Sequence, residues 1–253
     1  MSLPTSIYPQ KPKQLPPSLG FSTYALEFDN IDDYVDTVTL ALDDITVMVL
    51  FKAYSLPTVA EERMMIINDQ SYDRWRIFIK EPNLLAVQVK DSGGTLYSFQ
   101  GAIEANRWYH AAFSHKSVAV GGLNLTAWLN GIVLGRAATT GALALPADTI
   151  RIGRGIKWNT DWYFDGAIAE VRIFDWGIVG PPAGFSSPEI ISHMLQYTKP
   201  ASGCRMWLRF EEGTGLTAYD SSGYGNHGSL LPTADPPKWI RTKKWELRAE
   251  LGL

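Results

Sequence analysis

The chain has 253 residues, of which 45% are hydrophobic and 19% charged, a composition typical of a globular protein with a full apolar core. Its net charge of −3 gives no electrostatic reason to expect nucleic acid or an anionic membrane as a partner. Cys204 is the single cysteine, which excludes an intrachain disulfide. No stretch reaches the roughly 20 apolar residues of a membrane span, and no pattern indicates a cofactor.

The first twenty residues are rich in proline, which suppresses helix and cannot donate hydrogen bonds to a sheet. We predict an extended arm over residues 1–20, with apolar contact residues at Ile7, Tyr8 and Leu15. This segment has no apolar run of the signal-peptide kind, so we expect the protein to be made without a signal peptide.

Short strands follow along the chain. Residues 45–51 are nearly all apolar, as in a strand that is covered on both faces. Alternating apolar and polar residues predict half-buried strands at residues 74–80, 85–90 and 149–152. The pair Asn130-Gly131 predicts a two-residue hairpin turn with positive φ at both positions. This pattern predicts an antiparallel sandwich.

One helix is predicted late in the chain. Residues 186–189 (SSPE) combine a serine N-cap, a proline in the first turn and a glutamate three residues after the cap. The apolar residues that follow have the spacing of a helix that packs on a sheet.

Four short motifs carry a resemblance to a known family. They are residues 28–35 (FDNIDDYV), 108–110 (WYH) with 128–131 (WLNG), 165–174 (DGAIAEVRIF), and 210–213 (FEEG) with 220–228 (DSSGYGNHG). Together they resemble the laminin-G-like, or concanavalin A-like, jelly-roll family over residues 21–231. The resemblance implies an all-β, two-sheet antiparallel jelly-roll sandwich with one short helix. It does not imply one function, because lectins, adhesins, enzyme modules and virion proteins share this fold.

The order of the motifs departs from the family. The pair of motifs at residues 203–231 usually opens such a domain, whereas here it closes the chain. We expect this closing segment to be permuted and to pair within its own subunit, with a strand swapped into a neighbour as the alternative. The predicted division is an arm at 1–20, a jelly roll at 21–231 and a C-terminal arm at 232–253.

Catalytic and metal sites are not predicted. Glucanases of this fold carry Glu-x-Asp-x-x-Glu along one strand, which this chain lacks. Neighbouring residues on a regular strand point to opposite faces, so neither Glu61-Glu62 nor Glu211-Glu212 would form a catalytic pair there. Oxygen-rich turns at residues 29–33 and 220–226 could supply calcium ligands. However, Ala169 stands where the family often carries the calcium-binding aspartate, so we predict no metal. From the arrangement of the glutamates we also predict no catalytic residue.

An aromatic loop is the candidate binding site. Trp158, Asn159, Asp161, Trp162 and Tyr163 combine aromatic rings with amide and carboxylate groups, the chemistry that binds sugars. Two other interpretations stay open. The aromatic residues can cap the core, or they can contact another protein.

The C-terminal segment carries Trp239 and Trp245 among basic residues. Exposed tryptophans are uncommon in a solvated tail, so we expect this segment to dock on its own sandwich or on a neighbour. Together with the N-terminal arm it predicts a homo-oligomer or assembly component whose partners are other protein subunits.

Three functional hypotheses follow. The first is a non-enzymatic structural or decoration protein, exposed on a larger assembly such as a virion and located at the virion or extracellular surface. The alternative is a lectin-like carbohydrate-binding module that recognises cell-surface or polysaccharide glycans. The third is a glucanase-like enzyme.

Overall fold

The computed structural model describes residues 24–59, 63–69, 74–120, 122–144, 147–157, 160–181, 187–194 and 202–242. Helix α1 spans Pro188–Met194. The strands are β1 (Tyr24–Asp29), β2 (Tyr34–Thr39), β3 (Ile45–Ala53), β4 (Arg63–Asp69), β5 (Trp75–Lys80), β6 (Leu84–Lys90), β7 (Leu96–Ala102), β8 (Trp108–Val120), β9 (Leu123–Leu129), β10 (Ile132–Ala137), β11 (Thr149–Ile152), β12 (Arg154–Lys157), β13 (Thr160–Tyr163), β14 (Asp165–Phe174), β15 (Cys204–Leu208), β16 (Thr217–Ala218), β17 (Gly228–Leu231) and β18 (Lys238–Arg241).

The strands form two large antiparallel sheets. The first sheet has the order β10-β9-β8-β3-β14-β1-β18, and β15 also pairs with β14. The second sheet has the order β16-β17-β2-β11-β4-β5-β6-β7, and β12 and β13 form a separate hairpin. These sheets confirm the predicted all-β sandwich of the concanavalin A-like type with one short helix.

The main core lies between the two sheets. Val49 and Ile168 face it from the first sheet, and Ile77 and Val87 face it from the second, all of them fully or almost fully buried. Because side chains alternate along a strand, the strand residues next to these core-facing ones point to the outer face of their sheet. The outer face of the second sheet is the one that carries the candidate site.

The closing segment pairs within its own chain. Strand β15 pairs antiparallel with the second half of β14, and β17 pairs with β2. Met206, Leu208 and Phe210 are fully buried in the main core. The segment therefore contributes to both sheets of the sandwich.

The predicted C-terminal arm begins as an edge strand. Strand β18 pairs antiparallel with β1, which places Arg241 opposite Tyr24. Trp239 packs against the main core, and its Nε1 donates a hydrogen bond to the Gly215 carbonyl oxygen at 2.9 Å. Residues 238–241 thus fold back on their own sandwich. Residues 1–20, with Ile7, Tyr8 and Leu15, and Trp245 lie outside the described residues.

Helix α1 covers the outer face of the first sheet. Ser187 precedes it, and the Ile191 amide donates to the Ser187 carbonyl oxygen at 3.0 Å, which is the first hydrogen bond of the helix. Ser186 lies outside the described residues, so the predicted cap stays a prediction. Ile190 is fully buried against Trp128 and Trp207. No helix among the described residues has the length and apolar character needed to cross a membrane.

Candidate functional site

A row of polar residues crosses the outer face of the second sheet, each directly opposite the next in the strand register. Because the register brings them together from seven strands, residues that are far apart in sequence become neighbours. We call this set the polar row, and its members are Ser229, Asp36, Arg151, Asn68, Arg76, Gln88 and Ser98.

The members of the row are held by one another. Arg151 binds Asp36 with two hydrogen bonds, Nε to Oδ1 at 2.5 Å and Nη2 to Oδ2 at 3.1 Å. At the other end, Arg76 Nε donates to Gln88 Oε1 at 2.8 Å, and Gln88 Nε2 donates to Ser98 Oγ at 3.3 Å. Ser98 is exposed and Gln88 is half-buried, so this end of the row is open to solvent.

The β12–β13 hairpin lies over the middle of this face. Gly155 allows the close approach, because a Cβ at this position would lie 2.5 Å from Met65 Cε. Trp162 packs on Met65, Phe78 and Ala86, which are buried apolar residues of the sheet below. The indole of Trp162 therefore covers the outer face of the sheet.

A second group, the Arg154 cluster, forms the exposed edge of the hairpin. It consists of Arg154, Asp161, Tyr163 and Tyr34. The Arg154 guanidinium donates to both carboxylate oxygens of Asp161 at 3.0 and 3.1 Å. It also lies 4.9 Å from the ring centroid of Tyr34 and 5.5 Å from that of Tyr163. Arg151 lies on the Tyr34 ring as well, at 4.9 Å.

The surroundings of Arg154 and Tyr163 keep both side chains protonated near neutral pH. Burial lowers the pKa of Arg154, but hydrogen bonding to Asp161 outweighs it and holds the pKa above its usual value. Burial also raises the pKa of Tyr163, and the Asp161 charge adds to this against the opposing charge of Arg154. The cluster thus presents a guanidinium, a neutral phenol and a hydrogen-bonded carboxylate side by side.

The structure describes three of the five residues of the predicted loop site, and it separates these three. Asp161 and Tyr163 lie at the surface in the Arg154 cluster, whereas Trp162 packs on the sheet in the manner of a core cap. Trp158 and Asn159 lie outside the described residues. Sequence reasoning missed Tyr34 and Arg151, although alternation in residues 149–152 already placed Arg151 on the polar face of its strand.

The acidic turn after β1 is the place where a cation could bind. Carboxylate oxygens of Asp29, Asp32 and Asp33 all lie within 4.8 Å of one another. Asp29 Oδ1 already accepts a hydrogen bond from the Ile31 amide at 2.9 Å, and Asp33 Oδ2 accepts one from the Asp29 amide at 3.1 Å. The carboxylates thus stabilise their own turn, the common role of aspartate there.

Ala169 lies in an apolar environment. It is fully buried with Ala25, Leu50 and Trp108 on the outer face of the first sheet. A carboxylate at this position would therefore be placed among apolar side chains rather than beside the acidic turn.

We expect a chelator to leave the melting temperature unchanged within scatter. The reason is that carboxylates of Asp33 and Asp29 accept hydrogen bonds from backbone amides of the same turn, so the turn can form without a cation. Thermal melts with and without EDTA and with added Ca²⁺ measure this. A fall of many degrees on chelation that Ca²⁺ restores would contradict the prediction, because a bound metal stabilises the folded state according to the logarithm of its concentration over Kd.

Asp33 should make stability depend on pH. Burial and the charges of Asp29, Asp32 and Asp235 raise its pKa to about 7. Since the unfolded pKa is about 3.9, the folded protein binds the proton more tightly. The stabilisation that this tighter proton binding gives the folded state is complete below the unfolded pKa, near pH 4. It is lost as the pH rises through the folded pKa of about 7. We expect the melting temperature of the wild type, relative to Asp33→Asn, to fall between pH 5 and 8. A constant difference would contradict this.

Two of the four glutamates considered for catalysis hold local structure. Glu211 accepts a hydrogen bond from Arg209 Nη2 at 2.7 Å, and Glu212 Oε1 accepts one from the Tyr219 amide at 2.7 Å. Glu61 and Glu62 lie outside the described residues.

Comparisons with known proteins agree with the fold. A profile described as the concanavalin A-like lectin/glucanases superfamily matches residues 29–176. A crystal structure of a proposed carbohydrate binding protein from Bacteroides ovatus is similar, with a TM-score of 0.63, 18% identity and 82% of this chain covered. The chain spans 57% of that protein's length.

Two further similar structures have lower TM-scores. The sialyllactose-bound CBM40 of a Ruminococcus gnavus IT-sialidase has a TM-score of 0.47 and 13% identity, covering 68% of this chain and 98% of its own. A heptameric SAP-like pentraxin from Limulus polyphemus has a TM-score of 0.46 and 14% identity, covering 62% of this chain and 78% of its own. No curated protein sequence matches the chain significantly.

Proposed function

Because the chain belongs to the concanavalin A-like lectin/glucanase superfamily, we propose that it is a non-enzymatic carbohydrate-binding domain. Its ligand would lie on the outer face of the second sheet, beside the Arg154 cluster. The similar Bacteroides ovatus structure, described as a proposed carbohydrate binding protein, supports this choice over the assembly role. The assembly role stays a prediction, since residues 1–20 and Trp245, which would make the contacts, lie outside the described residues. The virion or extracellular location also stays a prediction.

The Arg154 cluster is the observation that carries the proposal. Sugar rings offer hydroxyl groups that donate and accept hydrogen bonds, and C–H faces that pack on aromatic rings. Asp161 accepts such bonds, Arg154 donates them, and Tyr34 and Tyr163 supply rings. Each of these side chains already has a partner inside the cluster, so little side-chain entropy is lost when a ligand binds.

The open end of the polar row extends the same surface. Gln88 and Ser98 carry an amide and a hydroxyl group on the far side of the hairpin from the Arg154 cluster. Gln100 lies on the same exposed face of β7 as Ser98. An oligosaccharide long enough to pass the hairpin would find hydrogen-bonding groups on both sides of it.

The non-enzymatic part of the proposal is supported by how the carboxylates are used. Glycoside hydrolysis needs two carboxylic groups on either side of one bond. In the Arg154 cluster, Asp161 is the one carboxylate, and it is paired with Arg154. Asp36, the acidic member of the polar row, is paired with Arg151.

Asp161→Asn should weaken glycan binding at least about fivefold. The change removes the charge that fixes Arg154 and one acceptor for sugar hydroxyls, and a contact of this kind is worth about 1–3 kcal/mol. The experiment is a glycan array of the full chain, followed by calorimetry with the best soluble oligosaccharide for wild type and variant.

Asp175→Asn is the matched control. Asp175 pairs with Arg205 at 2.6 Å and is partly exposed, as Asp161 is, but it lies outside the second sheet. This variant should bind like the wild type. The proposal would fail if no glycan bound to the wild type, or if Asp161→Asn and Asp175→Asn both bound as the wild type does.

A further inference from the structure

An open groove lies at the edge of the first sheet, away from the Arg154 cluster. The loop of residues 213–216 forms one wall, and residues 235–240 form the other. Trp239 belongs to the second wall, and the hydrogen bond from its Nε1 to the Gly215 carbonyl oxygen of the first wall fixes its orientation. Leu216, which is 43% exposed, gives the opposite wall an apolar surface.

The lining of the groove suits a proline-rich ligand. Aromatic grooves with apolar flanks bind polyproline II segments, because these are extended before binding and lose little entropy. Here Trp239 supplies the aromatic surface, and Leu216 and the half-buried Pro236 supply the flanks.

The charges of the groove favour a ligand with ammonium groups. Glu27 and Asp235 both line it, and Lys238 is the one cation in the lining. Asp235 also lies near enough to the acidic turn to act on the charge of Asp33. Opposite charge across an interface favours the matching partner and excludes others.

The chain itself contains a segment with these properties. Residues 8–17 read Tyr-Pro-Gln-Lys-Pro-Lys-Gln-Leu-Pro-Pro. At three residues per turn, a polyproline II helix places Pro9, Pro12 and Leu15 on one face. Lys11 and Lys13 lie beside that face, where they can meet carboxylates.

The attachment point of this segment is close to the groove. Strand β1 begins at Tyr24, and a Cβ on Gly213 would lie 2.8 Å from Tyr24 Cζ. The six residues from 18 to 23 can span about 20 Å. A tether this short gives an effective concentration on the order of millimolar, which favours binding within one chain over binding between chains.

We propose that the groove binds a proline-rich, lysine-bearing peptide segment, and that residues 8–17 of the same chain are its occupant. This inference is independent of glycan binding, since it concerns the edge of the other sheet. It gives Tyr8 and Leu15 contacts within the chain, in place of the contacts with a neighbouring subunit that the sequence predicts.

Zero-length cross-linking of the full chain with a carbodiimide tests this. The reagent joins an ammonium group to a carboxylate in direct contact. We expect peptides that link Lys11 or Lys13 to Glu27 or Asp235, identified by mass spectrometry in the monomer fraction. When equal amounts of ¹⁵N-labelled and unlabelled protein are mixed before cross-linking, the two peptides of each linked pair should carry the same label. This result shows that the link forms within one chain.

Two variants should lower the yield of these links at least fivefold. Trp239→Ala removes the aromatic surface, and Leu216→Lys adds a cation at an exposed position where folding is not at risk. Leu96→Lys, on β7 of the second sheet and 43% exposed as Leu216 is, is the control and should leave the yield unchanged. The proposal is overturned if the links are absent, if both groove variants give wild-type yield, or if the links join labelled to unlabelled chains.

Discussion

Deletion of residues 203–253 is expected to leave a protein that does not fold cooperatively. The deletion removes β15 to β18 and uncovers the edges of β14 and β2, and open edges of this kind lead to aggregation. It also removes Met206, Leu208 and Phe210 from the core. Each contributes about 1.5–3 kcal/mol by burial, so the loss is comparable to a total stability of about 5–15 kcal/mol. Soluble yield and the sharpness of the thermal transition measure this.

The control is deletion of residues 1–20. We expect this variant to keep a cooperative transition, because strand β1 begins at Tyr24 and stays intact. A sharp transition in the protein that lacks residues 203–253 would show that the remaining strands suffice for the fold.

Asp220→Ala should cost about 3–5 kcal/mol of stability at neutral pH. Asp220 Oδ1 accepts hydrogen bonds from the Trp207 and Ser222 amides, each at 2.8 Å. Oδ2 accepts from Ser222 Oγ at 2.6 Å and from the Asn226 amide at 2.9 Å. Hydrogen bonds to a charged group are worth about 1.5–3 kcal/mol, and bonds that share one carboxylate add up incompletely. Denaturant unfolding at pH 7 gives the value.

Asp175→Ala provides the comparison for this experiment, since its partly exposed pair with Arg205 should be worth less than about 1 kcal/mol. Equal losses for the two variants would contradict the central role of Asp220.

The pH dependence of the stability that Asp220 contributes gives a second check. Burial raises the pKa of Asp220, but its hydrogen bonds outweigh this and lower it. Its stabilisation is thus present above the unfolded pKa and is lost as pH falls through the folded pKa.

Local features of the fold could be predicted because neighbouring residues determine them. Asn130 and Gly131 have φ of 51° and 76°, as their hairpin turn requires. The Asn130 side chain also accepts a hydrogen bond from the His110 amide at 2.9 Å, which joins two parts of one sequence motif. Such residues identify the family because they stabilise the fold, and for the same reason they say little about the ligand.

The candidate site could be predicted only in part. Alternation along residues 74–80, 85–90 and 149–152 showed which side chains share a face of their own strand. It could not show that Arg151, Arg76 and Gln88 belong to one row, because the register between distant strands depends on the whole fold. The orientation of Trp162 was equally hidden, since its apolar partners Met65 and Phe78 lie on other strands.

The pairing of β1 with β18 has a consequence under mechanical load. The two strands are antiparallel, and Tyr24 at the start of β1 lies opposite Arg241 at the end of β18. A force that pulls the chain apart at these two residues acts first on the bonds at this end, and then on each following pair in turn. Antiparallel strands that separate one bond at a time resist less force than strands sheared along their length. Strand β18 should therefore peel away at low force, while β1 stays attached to β14 through the register from Leu26 to Asp29.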